Sequence, residues 1–284
     1  MTLPEAGHGR LLAVSDLHVT HPENRAIVEG LRAECDEDWL IVCGDVSDTL
    51  VDVAWALGLL ADRFAKVIWT PGNHELWSTP HEEPPLRGEQ RYQRLVEICR
   101  AAGVLTPEDP YPVWSGPGGP LTIAPLFLLY DYSFSRNIAS TPAQALALAH
   151  RAGVVCSDEF LLHPDPYESR AQWCHARVRE AETRLGACGE DPLAIVNHFP
   201  LTEAPTKVLT HPEFAQWCGT TLTADWHVRF KAEVVVYGHL HIPRTTFQDG
   251  VRFEEVSLGY PREWHRRHAR KPTLRTIAPA EQLA

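Results

Sequence analysis

A chain of 284 residues that is 44% hydrophobic and 22% charged has the composition of a soluble globular protein with a sizeable core. It shows no apolar run long enough to span a bilayer, no low-complexity tract and no internal repeat, and its first ten residues lack the apolar centre of a secretory signal, so a cytoplasmic protein with no membrane partner is expected. A formal net charge of −11 argues against nucleic acid as the main partner, because that binding rests on Lys and Arg neutralising phosphates.

In chain order, "RLLAVSDLH" reads as a strand ending at Ser15 and "NRAIVEGLRAE" as a helix with apolar residues at helical spacing. "DWLIVCGD" is a second strand, "TLVDVAWALGLLADRF" a helix and "KVIWTPGNHE" a third strand. This βαβαβ order implies parallel pairing with right-handed crossovers. A less regular, inserted or cap-like region follows at about residues 78–189, with helices expected at "EQRYQRLVEICRAAG" and "YESRAQWCHARVREAETRLGA", a Pro/Gly-rich stretch at "EDPYPVWSGPGGP" and a strand across "LTIAPLFLLY". Strands resume at "DPLAIVNHFP" and "AEVVVYGHLH", and "RTTFQDGVRFEEVSLG" is a hairpin pivoting on Asp249-Gly250. A single α/β domain over residues 1–284 is expected, closing in a basic tail at about 262–284. The run Arg262 to Lys271, "REWHRRHARK", is read as a solvated tail that could meet an anionic partner.

Seven cysteines, at positions 35, 43, 99, 156, 174, 188 and 218, show no zinc-knuckle or redox spacing, so reduced and mostly buried thiols are expected. The strand ends carry the chemistry. The first yields Asp16 and His18, the second Asp45, the third Asn73 and His74, a later one His198, and the last His239 and His241. One histidine at a strand end is ordinarily a hydrogen-bonded structural residue; five strand ends with the same residue types overturn that reading. Asp, His and Asn suit borderline divalent metals such as Mn, Fe or Zn, and the lack of thiolates at these positions disfavours a Cys-rich structural site. Seven candidate ligands exceed the need of one metal but suit two ions sharing a carboxylate.

The blocks Asp16-Leu17-His18, Gly44-Asp45-Val46-Ser47-Asp48, Gly72-Asn73-His74-Glu75, Asn197-His198 and Gly238-His239-Leu240-His241 resemble, in order, those of the calcineurin-like metallophosphoesterases. The resemblance implies a four-layer sandwich of two mixed β-sheets flanked by helices. It further implies that Asp16, His18 and His241 hold one divalent metal, that Asn73, His198 and His239 hold the other, with Mn or Fe favoured, and that Asp45 bridges them. His74 is then left unligated, to stabilise charge or protonate a leaving oxygen. Gly72 is expected to permit the turn that presents Asn73 and His74. Glu75 and Asp48 are candidates to orient His74 or the ligands from behind, with Asp48 equally an N-cap for the helix starting near Thr49.

For substrate, the chain has Val46-Ser47-Asp48-Thr49 where the family's protein phosphatases show Val-Asp-Arg-Gly, so their phosphate-binding arginine is missing. Class III cyclic-nucleotide phosphodiesterases end the third block with Asp, against Glu75 here. Beyond the metal blocks, "GVLTPEDPYPVW", "LFLLYDYSF", "FAQWCGT" and "VSLGYPREW" resemble the actinobacterial phosphopantetheinyl-hydrolase subgroup. That resemblance implies a phosphodiester substrate, the 4'-phosphopantetheine arm of an acyl or peptidyl carrier protein. The alternatives are a cyclic-nucleotide phosphodiesterase or phosphomonoesterase and, in a different class, an inactive metal-binding scaffold. Trp77, Tyr130, Tyr132 and Trp217 are candidates for the pocket wall, with core packing the competing role.

Overall fold

Ten short strands among the described residues, 9–79, 85–135, 139–266 and 273–280 of the computed structural model, build two sheets. They are β1 (Leu11–Val14), β2 (Trp39–Val42), β3 (Lys66–Trp69), β4 (Val113–Trp114), β5 (Leu121–Pro125), β6 (Leu193–Val196), β7 (Ala232–Tyr237), β8 (Arg244–Gln248), β9 (Val251–Glu255) and β10 (Arg275–Ala278). The first sheet runs β10-β1-β2-β3 and the second β4-β5-β6-β7-β9-β8. Both are mixed. β1, β2 and β3 are parallel with β10 antiparallel at the edge, and β5, β6, β7 and β9 are parallel with antiparallel β4 and β8 outside them.

Near-continuous apolar strands such as LLAV, WLIV and LAIV have to be covered on both faces, and side-chain alternation shows how. Leu11, Ala13, Ile41 and Ile68 of the first sheet meet Ile123, Ala194, Val196, Val234 and Val236 of the second in one buried layer. Their neighbours Leu12, Val14, Leu40, Val42, Val67 and Trp69 face away and pack with helix residues including Val28, Val53, Leu57, Tyr92 and Leu95. The result is helix, sheet, sheet, helix, the expected four-layer sandwich. The helices are α1 (Pro22–Gly30), α2 (Leu50–Ala61), α3 (Gly88–Ala101), α4 (Pro142–Arg151), α5 (Asp158–Leu161), α6 (Arg170–Gly186), α7 (Trp226–Arg229) and α8 (Pro261–Trp264).

Several expectations hold in detail. The β8–β9 hairpin turns on Asp249 (φ 52°) and Gly250 (φ 81°), the left-handed pair that a two-residue turn requires. All seven cysteines are free thiols, with Cys35 and Cys188 half-buried and the rest buried. Others change. The strand expected over 121–130 ends at Pro125; Leu126 N–H still donates to Val196 O of β6, but residues 127–130 leave the sheet, and Leu128 N–H donates to Asn197 Oδ1 rather than to a strand. Within the stretch 78–189, α4 is an element that the sequence reading passed over, although Thr141 caps it by accepting from the Gln144 N–H and Pro142 starts it.

The chain does not stay in solvent beyond the basic run of 262–271. Its far part returns as β10 to the edge of the first sheet, with Ile277 buried between the sheets. Arg262 and Arg266 are exposed, whereas Arg267, Arg270 and Lys271 lie outside the described residues. No helix among the described residues is long and apolar enough to cross a membrane.

Candidate metal centre

The two sheets are sewn together at the site. Ser15 N–H donates to Val256 O and Leu258 N–H to Ser15 O, so the end of β1 meets the chain leaving β9. The strand-end turns are conformationally costly. Asp16 (φ 55°), His18 (φ 41°), Asp45 (φ 53°), His239 (φ 69°) and His241 (φ 56°) make up five of the eight non-glycine residues with positive φ among those described. Each such residue costs on the order of 1–3 kcal/mol, and the cost marks a site where side-chain direction matters more than backbone comfort. Gly72 differs from the expectation, since its φ is not positive. It is needed for space: a Cβ there would overlap the Asp45 carboxylate and backbone N.

Asp16, His18, Asp45, His198, His239 and His241 converge in two clusters, and Asn73 lines the same cleft as Asp45 and His239. His241 Nε2 lies 2.9 Å from Asp16 Oδ1 and 3.3 Å from His18 Nε2, forming one cluster. Asp45, His198 and His239 form another, with His198 Nε2 3.4 Å from Asp45 Oδ2. Asp45 Oδ2 also stands 3.9 Å from His18 Nε2, so one oxygen faces both clusters, while Oδ1 accepts the backbone N–H of His74 at 3.0 Å. Asn73 is buried beside them. Its Oδ1, together with Nε2 of His198 and Nε2 of His239, is buried without a hydrogen-bond partner. Asn73 Oδ1 and His239 Nε2 are buried acceptors that are unfavourable unless a cation satisfies them, so the donor set fits a metal.

Protonation agrees with that fit. Burial and the neighbouring His198 push His239 down to about 3, and burial with His74 holds His18 well below its usual range, so both rings are neutral ligands. Burial works against His198, yet Asp45 and Asp16 raise it to about 10, and a cation binding there has to displace a proton. Nδ1 of His198 lies 2.9 Å from Cys43 O, an acceptor, which leaves Nε2 aimed inward. Burial alone would raise Asp45, but the surrounding His198, His74 and His18 hold it well below the carboxylate range.

His74 is set apart. Its Nε2 lies 3.9 Å from Asp45 Oδ2 and 3.3 Å from the Tyr260 hydroxyl, and its ring rests against Trp77 with centroids 3.7 Å apart. It also falls within reach of His18 and Asp45 as a third possible grouping. Glu75 does not touch the His74 ring. Its carboxylate accepts the backbone N–H groups of Asp45, Val46 and Gly72 at 2.8–3.0 Å, pinning the ends of β2 and β3 together. Asp48 is neither an inner acceptor nor a helix cap: Oδ1 accepts from Thr20, and Thr49 caps α2.

The site opens into a cleft of about 510 Å³ lined by residues that include His74, Trp77, Val155, Phe214, Tyr260 and Arg262. Of the four aromatic candidates, Trp77 alone lines it. Tyr130 and Trp217 are fully buried in the core, and the Tyr132 hydroxyl donates to Glu159. Missed in sequence were Tyr260, stacked 4.4 Å over His18, and Glu263, whose Oε2 lies 2.6 Å from His241 Nδ1. Also missed was Ser257, whose Oγ donates to Asp16 Oδ2 at 2.6 Å. None sits in a metal-ligand block; all three lie in "VSLGYPREW", which the sequence marked only through its resemblance to the phosphopantetheinyl-hydrolase subgroup, with no role for its residues.

Comparison with known proteins agrees with this geometry. The profile of the calcineurin-like phosphoesterases matches residues 9–243. The chain is 53% identical over 277 residues to the [acyl-carrier-protein] phosphodiesterase PptH of Mycobacterium tuberculosis, covering 96% of this chain and 85% of that protein. It superposes on the crystal structure of that organism's phosphopantetheinyl hydrolase with a TM-score of 0.95 at 52% identity, over 98% of this chain and 99% of that one. The sandwich, the convergent ligands and these similarities together make the chain a member of the calcineurin-like phosphoesterases, metal-dependent hydrolases of phosphoric esters.

Proposed function

We propose that the chain is a binuclear phosphodiesterase that releases 4'-phosphopantetheine from the serine of a carrier protein. The observation that carries this reading is the 53% identity to the mycobacterial phosphodiesterase over 277 residues, a match that spans 96% of this chain and not the metal blocks alone. Asp16, His18 and His241 would hold one ion, Asn73, His198 and His239 the other, and Asp45 both. Two divalent cations, with Mn or Fe favoured by a nitrogen and oxygen donor set, supply charge for the phosphoryl group and activate water for in-line attack.

The protein's own residues do the rest. As the water oxygen bonds to phosphorus and the bond from phosphorus to the serine oxygen breaks, His74 stabilises the charge or gives its proton to the departing oxygen. Trp77 holds the His74 ring from behind, and the Tyr260 hydroxyl fixes where Nε2 points. Val155, Phe214 and Trp77 offer apolar walls to the methyl-bearing arm, with Arg262 at the same cleft for its anionic end. Carrier proteins are typically acidic, and the basic run from Arg262 offsets the long-range repulsion expected from a chain of net charge −11. A cytoplasmic setting suits such a partner and seven free thiols.

Intact-protein mass spectrometry of holo carrier protein incubated with enzyme and Mn²⁺ tests the reading. Loss of the whole phosphopantetheine mass is expected, and Asp45→Ala should abolish it. An unchanged carrier protein, alongside brisk turnover of a cyclic nucleotide or a phosphomonoester, would remove this substrate.

A further inference from the structure

Asp158 opens α5, inside the stretch 78–189, and its side chain is fully buried. Its Oδ1 accepts two hydrogen bonds, from Nδ2 of Asn73 at 2.9 Å and from Nε1 of Trp77 at 2.7 Å. The backbone around it is tied down as well. Ser78 N–H donates to Leu161 O, and Arg170 donates to the carbonyls of Asp158 and Leu162 at 2.6 and 2.9 Å. The three residues before it, Val155, Cys156 and Ser157, line the cleft.

An asparagine ligand has a built-in ambiguity, because its carboxamide ends are nearly isosteric and only the oxygen can bind a cation. The surroundings have to choose the rotation. An indole N–H can only donate, so the Asp158 oxygen facing Trp77 is an acceptor whatever the protonation of the other oxygen. That same oxygen faces Asn73 and admits only its NH₂ end. Asn73 Oδ1 is thereby turned the other way, where it is buried with no hydrogen-bond partner, as are the inward Nε2 atoms of His198 and His239.

We propose that Asp158 is a positioning residue for the second metal site: it sets the rotation of the Asn73 carboxamide and, through the same oxygen, the Trp77 ring that backs His74. The stretch 78–189 then contributes to the metal centre and not to the cleft wall alone. The inference rests on the reading of Asn73 as a ligand, and its test separates the two.

Metal-stripped protein is titrated with Mn²⁺ by calorimetry. Wild type should show two sites, and Asn73→Ala should weaken one of them; if it does not, the ligand reading fails and this inference with it. Asp158→Ala should lower the affinity of that same site tenfold to a hundredfold, the usual effect of losing a partner behind a ligand, while the other site changes by less than about threefold. Wild-type affinities in Asp158→Ala, beside a weakened Asn73→Ala, would overturn the proposal. Should Asp158→Ala fail to fold, Asp158→Asn decides: its amide oxygen, held toward the Trp77 N–H, still accepts from both donors, so the Mn²⁺ affinity of that site should stay within about threefold of wild type. A loss of about tenfold or more would overturn the assignment.

Discussion

Glu263 Oε2 stands 2.6 Å from Nδ1 of His241, and the opposite nitrogen of that ring stands 2.9 Å from Asp16 Oδ1. A carboxylate behind a histidine fixes which nitrogen carries the proton and turns the other toward the metal. Glu263 also accepts the Tyr260 N–H at 2.9 Å, so α8 is locked to the first proposed metal site. Glu263→Ala should lower the affinity of that site for Mn²⁺ by tenfold to a hundredfold, and Glu263→Gln, whose carbonyl still accepts, should recover most of the loss. Equal affinities for wild type and Glu263→Ala in a calorimetric titration would show that the pair does not orient the ring.

His74 is the residue expected to act without binding metal. His74→Asn should lower turnover of a poorly activated phosphodiester by roughly a hundredfold or more, as loss of an acid or charge stabiliser does, with Mn²⁺ content near wild type. A nitrophenyl diester, whose leaving group needs less protonation, should lose less. Elemental analysis decides the role: a variant missing one ion per chain would make His74 a ligand.

Glu75 holds three backbone N–H groups at the junction of β2 and β3. Burial and the nearby Asp45 raise it to about 7. Glu75→Ala strands those donors, each worth about 1–3 kcal/mol when buried and unpaired, so a total loss of at least roughly 3 kcal/mol is expected. Urea unfolding of the metal-free protein measures it without interference from bound ions. A midpoint within error of wild type would mean that water or a neighbour replaces the carboxylate.

Asp38 makes a pH-dependent contribution away from the site. Burial works to raise it, but the Arg10 side chain and the backbone N–H groups of Arg10, Glu34 and Cys35 outweigh that, leaving its pKa below the ordinary 3.8. A carboxyl depressed in the folded state stabilises fully above the unfolded value and loses that contribution as pH falls through the folded one. Asp38→Asn should therefore be less stable than wild type near pH 7, with the gap closing below about pH 4. A gap constant from pH 7 to pH 3 in denaturant titrations would assign the loss to packing.

The strands and the seven candidate ligands were legible because both are local. An apolar run of four or five residues announces a strand, and the Asp, His and Asn just beyond it occupy the turn that the strand's end dictates. Alternation along β1, β2 and β3 likewise carries the double-faced burial, since successive side chains must point to opposite layers. The supports behind the ligands were not legible. Tyr260 reaches His74 across 186 residues, and Asp158 reaches Asn73 across 85. Nothing in a short window records such pairings, because they exist only after the two sheets close face to face and bring the end of β1 against the chain leaving β9. The aromatic residues make the same point. Trp77 and Trp217 are chemically alike, yet one lines the cleft and the other donates its Nε1 proton to Glu159 within the core, because residue type sets what a side chain can do and packing sets where it does it.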